Sequence, residues 1–141
     1  MRSETWIILL YTVGFVALWI LMIGLVSLSA GWWRLAQHYR DFDNYQGRKL
    51  RMRSGSFGWA SYGGVLTLGA NFQGMYLAVN PLFAILHPPL FIPWNDIQTE
   101  EKKGLFGKET TLIFAKTPGV KLTIPSKLMV QVQDLKTGNL F

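Results

Sequence analysis

The run from Thr5 to Trp33 contains no Asp, Glu, Lys or Arg. That one stretch limits what the chain can become. A bilayer core about 30 Å thick needs roughly 20 apolar helical residues. The segment exceeds that length, so it predicts a single membrane span with room for tilt. Trp6 stands near one end and Trp32-Trp33 at the other, where indole rings suit the headgroup level. The hydroxyls of Thr12 and Ser27 can bond back to the preceding helical turn. A cleaved signal peptide is the rival reading, with Ser27-Leu28-Ser29 as its small residues. The apolar run is too long for a signal core of about 7–15 residues, and Arg2 ahead of it is opposed by Glu4. A retained anchor over residues 1–33 is the expectation.

Charge sets the expected orientation. Only Arg2 precedes the span, whereas Arg34, Arg40, Arg48, Lys49, Arg51 and Arg53 follow it. Basic flanks stay on the cytoplasmic side, so the N-terminus is expected outside and residues 34–141 inside. The same six side chains are candidate contacts for anionic lipid headgroups, each worth about 1 kcal/mol near a charged surface. With no cysteine, a reducing compartment is compatible but not required. Leu10, Ala17, Gly24 and Gly31 recur every seven residues and form a candidate helix-packing face.

Beyond the anchor there is enough chain for one small domain with its own core. Trp32, Leu35, Ala36 and Tyr39 share a helical face, which would either lie on the membrane or dock on that domain. Residues 34–47 are expected to be a juxtamembrane helix and a linker, the latter rich in turn formers from Asp41 to Gly47. Residues 48–136 are expected to be a mainly-β domain, and 137–141 a tail. In Arg48–Phe57, Leu50 and Met52 alternate with Lys49, Arg51 and Arg53, predicting a strand with one apolar and one basic face. Phe57, Trp59 and Tyr62 lie among glycines and serines and are expected to be mainly core residues.

The segments 65–70 and 75–79 predict a hairpin across Asn71–Gly74. Residues 82–86 suggest a further short strand, and Pro93 makes 90–94 an edge strand. Gln98–Lys103 looks like a polar loop. Beyond it Lys102, Lys103, Leu105, Phe106 and Lys108 form a candidate membrane-inserting tip. Strands over 110–116 and 120–124 are joined by Thr117-Pro118-Gly119. Ser126 then opens a closing helix with Leu128, Val132 and Leu135 on one face.

Phe91-Ile-Pro-Trp94-Asn-Asp-Ile97 resembles a stretch of bacterial pleckstrin-homology-like (GRAM-like) domains. Together with Gly74-Met-Tyr-Leu and His87-Pro-Pro-Leu, it is similar to small uncharacterised bacterial membrane-anchored proteins. The resemblance covers about residues 48–136. It implies a strongly bent, seven-stranded sheet or partial barrel closed by one C-terminal helix. It also implies a single-pass protein of the bacterial inner membrane. Lys49-x-Arg51-x-Arg53 looks like the basic pattern of some phosphoinositide-binding members, with a common anionic phospholipid as the implied ligand here.

Catalysis needs groups that attack, trade protons or hold a metal. His38 and His87 are far apart, and Asp41, Asp43, Glu100 and Glu101 form no spaced pair on one element. No phosphate-cradling glycine motif precedes a helix, and neither metal nor cofactor is implied. Nothing points to nucleic acid. The expectation is a non-enzymatic interaction module, an accessory or scaffold subunit with membrane-protein partners. The alternative is an anionic-lipid-binding, membrane-apposed sensing domain.

Overall fold

The apolar run forms helix α1 (Ser3–Ala30), long and apolar enough to cross a membrane. Gly31 ends it: at φ +104° its backbone is left-handed, and its N–H donates to the Ser27 carbonyl at 3.2 Å. Glycine takes this conformation without a Cβ penalty. A Cβ here would also come within 2.6 Å of Val120 Cγ2. Helix α2 (Trp32–Tyr39) follows immediately. The computed structural model describes residues 2–104 and 107–137. Leu105 and Phe106 of the expected tip, and residues 138–141, therefore lie outside the described residues.

Seven antiparallel strands follow: β1 (Lys49–Phe57), β2 (Ala60–Ala70), β3 (Gly74–Val79), β4 (Leu90–Pro93), β5 (Ile97–Gly104), β6 (Gly107–Phe114) and β7 (Thr117–Pro125). Helix α3 (Ser126–Thr137) closes the chain. The strands form one curled half-barrel in the order β4-β3-β2-β1-β7-β6-β5. Leu128, Met129, Val132 and Leu135 of α3 are buried in its core. The expected hairpins 65–70/75–79 and 110–116/120–124 correspond to β2–β3 and β6–β7.

Four local readings are corrected. Residues 82–86 are not a strand; a 3-10 turn over Pro81–Phe83 opens a loop instead, capped by Asn80, whose Oδ1 accepts from Leu82 N–H at 3.0 Å. Gln98–Lys103 is not a loop but most of the edge strand β5, exposed along its length. It carries no alternation because neither of its faces is buried, and its charges discourage pairing with another sheet. The aromatics of the glycine-rich stretch divide: Phe57 and Tyr62 are core, while Trp59, in the β1–β2 turn, is 68% exposed.

The fourth correction concerns β1. Leu50 pairs with Leu68, and Arg53 with Leu66, so two residues of β1 oppose one of β2 between those pairs. The bulge passes through Met52, at φ +57° and 79% exposed. An extra residue reverses which face each later side chain takes. Arg53 therefore shares the core face with Leu66, ahead of Phe57 on the same face, and its buried Nε makes no hydrogen bond among the described residues. The alternating basic stripe is broken: Lys49 and Arg51 are not on the face of Arg53.

The helical face Trp32, Leu35, Ala36, Tyr39 docks on the sheet, all four residues being buried in the main core. The expected linker is also strapped down. Tyr45 stacks on Tyr76 at 4.8 Å between ring centroids, and its hydroxyl bonds Ala70 N–H at 3.0 Å and donates to the Arg48 carbonyl at 2.9 Å. Gly69 leaves room for that ring, since a Cβ there would lie 2.5 Å from it.

Candidate functional site

The most elaborate polar and aromatic arrangement lies where α1 meets the half-barrel. Trp32, fully buried, sits at its centre. Its ring lies 5.3 Å from Phe57 and 5.2 Å from His87, and its Nε1–H donates to the Pro88 carbonyl at 3.0 Å. The sequence left this indole either at the headgroup level or docked on the domain; the structure makes it a core side chain. Beneath it the Tyr62 hydroxyl and His87 Nε2 are 2.8 Å apart, and His87 Nδ1 is 2.7 Å from the Ile85 carbonyl. Only a donor can face a carbonyl, so the proton sits on Nδ1, and Nε2 accepts from Tyr62.

Burial governs how this pair titrates. Desolvation holds His87 below its ordinary 6.5, against the opposing pull of the Ile85 carbonyl. Burial likewise raises the Tyr62 phenol. Both groups stay neutral near pH 7 and satisfy each other. Neither faces a serine, cysteine or carboxylate in the hydrogen bonds they make, so the pair acts as a clamp on the loop carrying His87.

That loop runs back along α1. Ser27 Oγ donates to the Leu86 carbonyl, and Trp19 Nε1–H donates to the Leu82 carbonyl at 3.4 Å. Trp19 also lies 5.2 Å from the Phe83 ring. A cleft of about 300 Å³ remains between α1 and β2, walled by Met22, Val26, Gly63, Val65 and Phe83.

The expected site residues are widely dispersed. Of the helix-packing face, Leu10 and Ala17 are exposed, but Gly24 lies against Leu86 and Gly31 against Val120. Half of that face is thus occupied by the chain's own domain. Arg34 lies beside Gly119, at the anchor end of the domain. Arg40 bridges to Leu90. Phe57, at one end of β1, touches Trp32, whereas Arg48, Lys49 and Arg51 are at the other end, roughly 25 Å away at ~3.3 Å per residue. Lys49 Nζ lies 5.0 Å over the Tyr76 ring.

The flanks of the expected tip, Lys102, Lys103 and Lys108, are at the Gly104–Gly107 end of the β5–β6 hairpin. Val120, which packs on Gly31, is near the opposite end of β6, about 20 Å off at ~3.3 Å per residue. Arg34 thus lies at the Gly31 end of the sheet, whereas Lys49, Arg51, Lys102, Lys103 and Lys108 lie toward its opposite end. Among the described residues no cluster of His, Asp and Glu could hold a metal ion.

Sequence reading passed over Trp19, Ser27 and Tyr62 as partners of the 80–88 loop. Their partners are more than 20 residues distant, and periodicity carries no signal for such contacts. Comparison with protein-family models gives no match, and comparisons with curated proteins and with solved structures give none either.

Proposed function

We propose that this chain is a non-enzymatic, membrane-anchored interaction module, an accessory or scaffold subunit of a larger membrane protein complex. One observation carries the reading: the domain is fused to its anchor, not tethered to it. Ile23, Gly24, Ser27 and Ala30 of α1 are buried, and the core of the half-barrel takes in Ala30 and Trp32 on either side of Gly31. A domain that had to search for ligands would gain from a flexible tether. A seam packed through both helices instead fixes one pose, which suits holding a partner in position. The outer part of α1, with Leu10 and Ala17, stays open to another helix.

A curled seven-stranded sheet with a closing helix supports a pleckstrin-homology-like assignment. The basic residues after the span support a cytoplasmic domain at a bacterial inner membrane. Anionic-lipid recognition ranks second: Arg34 lies beside Gly119, next to the Gly31 joint, whereas Lys49 and Arg51 lie toward the far end of β1.

Purification of the full-length protein from native membranes in mild detergent, with native mass measurement, tests this. A stoichiometric companion is the expected result. A lone monomer would overturn the subunit reading and favour lipid recognition.

A further inference from the structure

The loop from Asn80 to His87 has a composition and a bonding pattern unusual for a surface loop. Leu82 is 73% exposed, and Ile85 and Leu86 are partly exposed beside it. No Asp, Glu, Lys or Arg occurs between Arg53 and Asp96, and burial keeps His87 toward its neutral form, so nothing charged accompanies these side chains. The loop does not project into open space. It climbs the flank of α1 from Ser27, under Leu86, to Trp19, under Leu82. That is eight residues of helix, about 12 Å at ~1.5 Å per residue.

Most of the loop's backbone polar groups find partners within the protein, the N–H groups of Ile85 and Leu86, next to the level of Gly24, excepted. Asn80 N–H donates to Val65 at 2.8 Å, Phe83 N–H to Asn80 at 2.8 Å, Ala84 N–H to Pro81 at 3.3 Å and His87 N–H to Ala84 at 3.0 Å. Leu82 N–H is taken by the Asn80 side chain. Pro81, Pro88 and Pro89 have no N–H to satisfy. Carbonyls of residues 82, 85, 86 and 88 accept from Trp19, His87, Ser27 and Trp32. Water would serve such groups in an ordinary loop. Non-helical backbone at membrane depth needs protein partners instead, and here an apolar helix lends its few polar side chains to supply them.

We propose that this loop is a second membrane-embedded element, whose partner is the acyl-chain region of the leaflet on the domain side. The inference rests on the reading of α1 as a membrane span and adds where the bilayer ends. About 20 residues counted from Thr5 reach the inner edge of the hydrocarbon near Gly24, not at Trp33. Leu82, level with Trp19, then lies about 8 Å inside that edge at ~1.5 Å per residue. Leu86, against Gly24, lies at the edge, and Trp32 lies in the domain beyond it. The buried part of α1 begins at Ile23, which agrees with that count. Trp59, exposed in the β1–β2 turn, is two residues from Ser61, which lines the cleft against α1. An indole there suits the headgroup level.

The chain has no cysteine, so single spin labels can be placed in the full-length protein without removing native thiols. Leu82→Cys and Ile85→Cys report on the loop, Val16→Cys on α1, and Phe72→Cys on the exposed β2–β3 turn. Each is reconstituted in nanodiscs of phosphatidylcholine and phosphatidylglycerol, and relaxation by oxygen is compared with relaxation by a water-soluble nickel chelate. The expected result is that labels at 82, 85 and 16 respond to oxygen and lose the chelate response, while the label at 72 responds to the chelate. If 16 is lipid-exposed but 82 responds to the chelate like 72, the proposal is overturned and the span stands. If 16 also responds to the chelate, the membrane reading itself fails. A label at 82 shielded from both reagents overturns the lipid contact in favour of a protein covering the loop.

Discussion

The outer and inner parts of α1 are both predominantly apolar and have opposite surroundings. From Ser3 to Met22 the side chains are exposed, with only Trp19 partly covered; from Ile23 to Ala30 four residues are buried against the domain. Both parts are rich in Leu, Ile and Val, and the outer one adds Trp6, Tyr11, Phe15 and Trp19. An apolar helix needs an apolar solvent or an apolar neighbour, and hydropathy does not say which. The neighbour is decided by residues far along the chain: Leu86, His87 and Val120. How much of such a helix is covered by its own domain therefore cannot be read from the length of its hydrophobic run.

The contrast can be broken most severely at Trp32. Trp32→Ala empties a site with complete burial and leaves the Pro88 carbonyl without its indole donor. A loss of about 3–5 kcal/mol is expected in unfolding of the β domain, measured by far-ultraviolet circular dichroism in detergent. A tryptophan serving only at the headgroup level would give a far smaller change.

Gly31→Ala strikes the joint between the two parts. It forces a left-handed Cβ against Val120, and a loss of about 1–3 kcal/mol is expected in the same measurement. A neutral result would show the joint to be slack, contrary to a fused anchor.

His87 gives a pH-dependent version of the comparison. Its folded pKa lies below 6.5, so between those values the unfolded chain holds a proton that the folded chain does not. Stability is then full above pH 6.5 and falls as pH drops through that value, until His87 itself protonates. The thermal midpoint should decline from about pH 7.5 to 5.5, and His87→Gln should decline less steeply. Equal slopes would remove His87 from the account.

The smallest effect belongs to the outer part. Phe15→Ala changes a residue that is 67% exposed and stacks on Trp19, and domain unfolding should move by no more than about 0.5 kcal/mol. A larger shift would mean that the seam extends further up α1 than the buried residues indicate.

Much of the fold could be read in the sequence because it is written locally. The long apolar helix, the β2–β3 and β6–β7 hairpins and the apolar face of α3 each follow from a local run, period or turn signal. The face of α2 was legible too, though whether it met lipid or sheet was not. Strand β5 escaped notice because an edge exposed on both faces has no alternation to detect. The bulge at Met52 was equally silent, since one inserted residue leaves composition unchanged while turning Arg53 toward the core. Of the site, Trp32 and His87 were visible as residues, but not the partners that give them a role.

By itself, then, the sequence determined that a long apolar helix leads into a mainly-β domain with a closing helix, because chain-local patterns of hydrophobicity and turn chemistry suffice for that. Only the tertiary structure decided that the last turns of the helix belong to the domain and that the Asn80–His87 loop lies along α1. Those outcomes depend on hydrogen bonds such as Ser27 to Leu86 and Tyr62 to His87. Contacts between residues so distant in the chain are selected by the packing of the whole core, and no local window contains them.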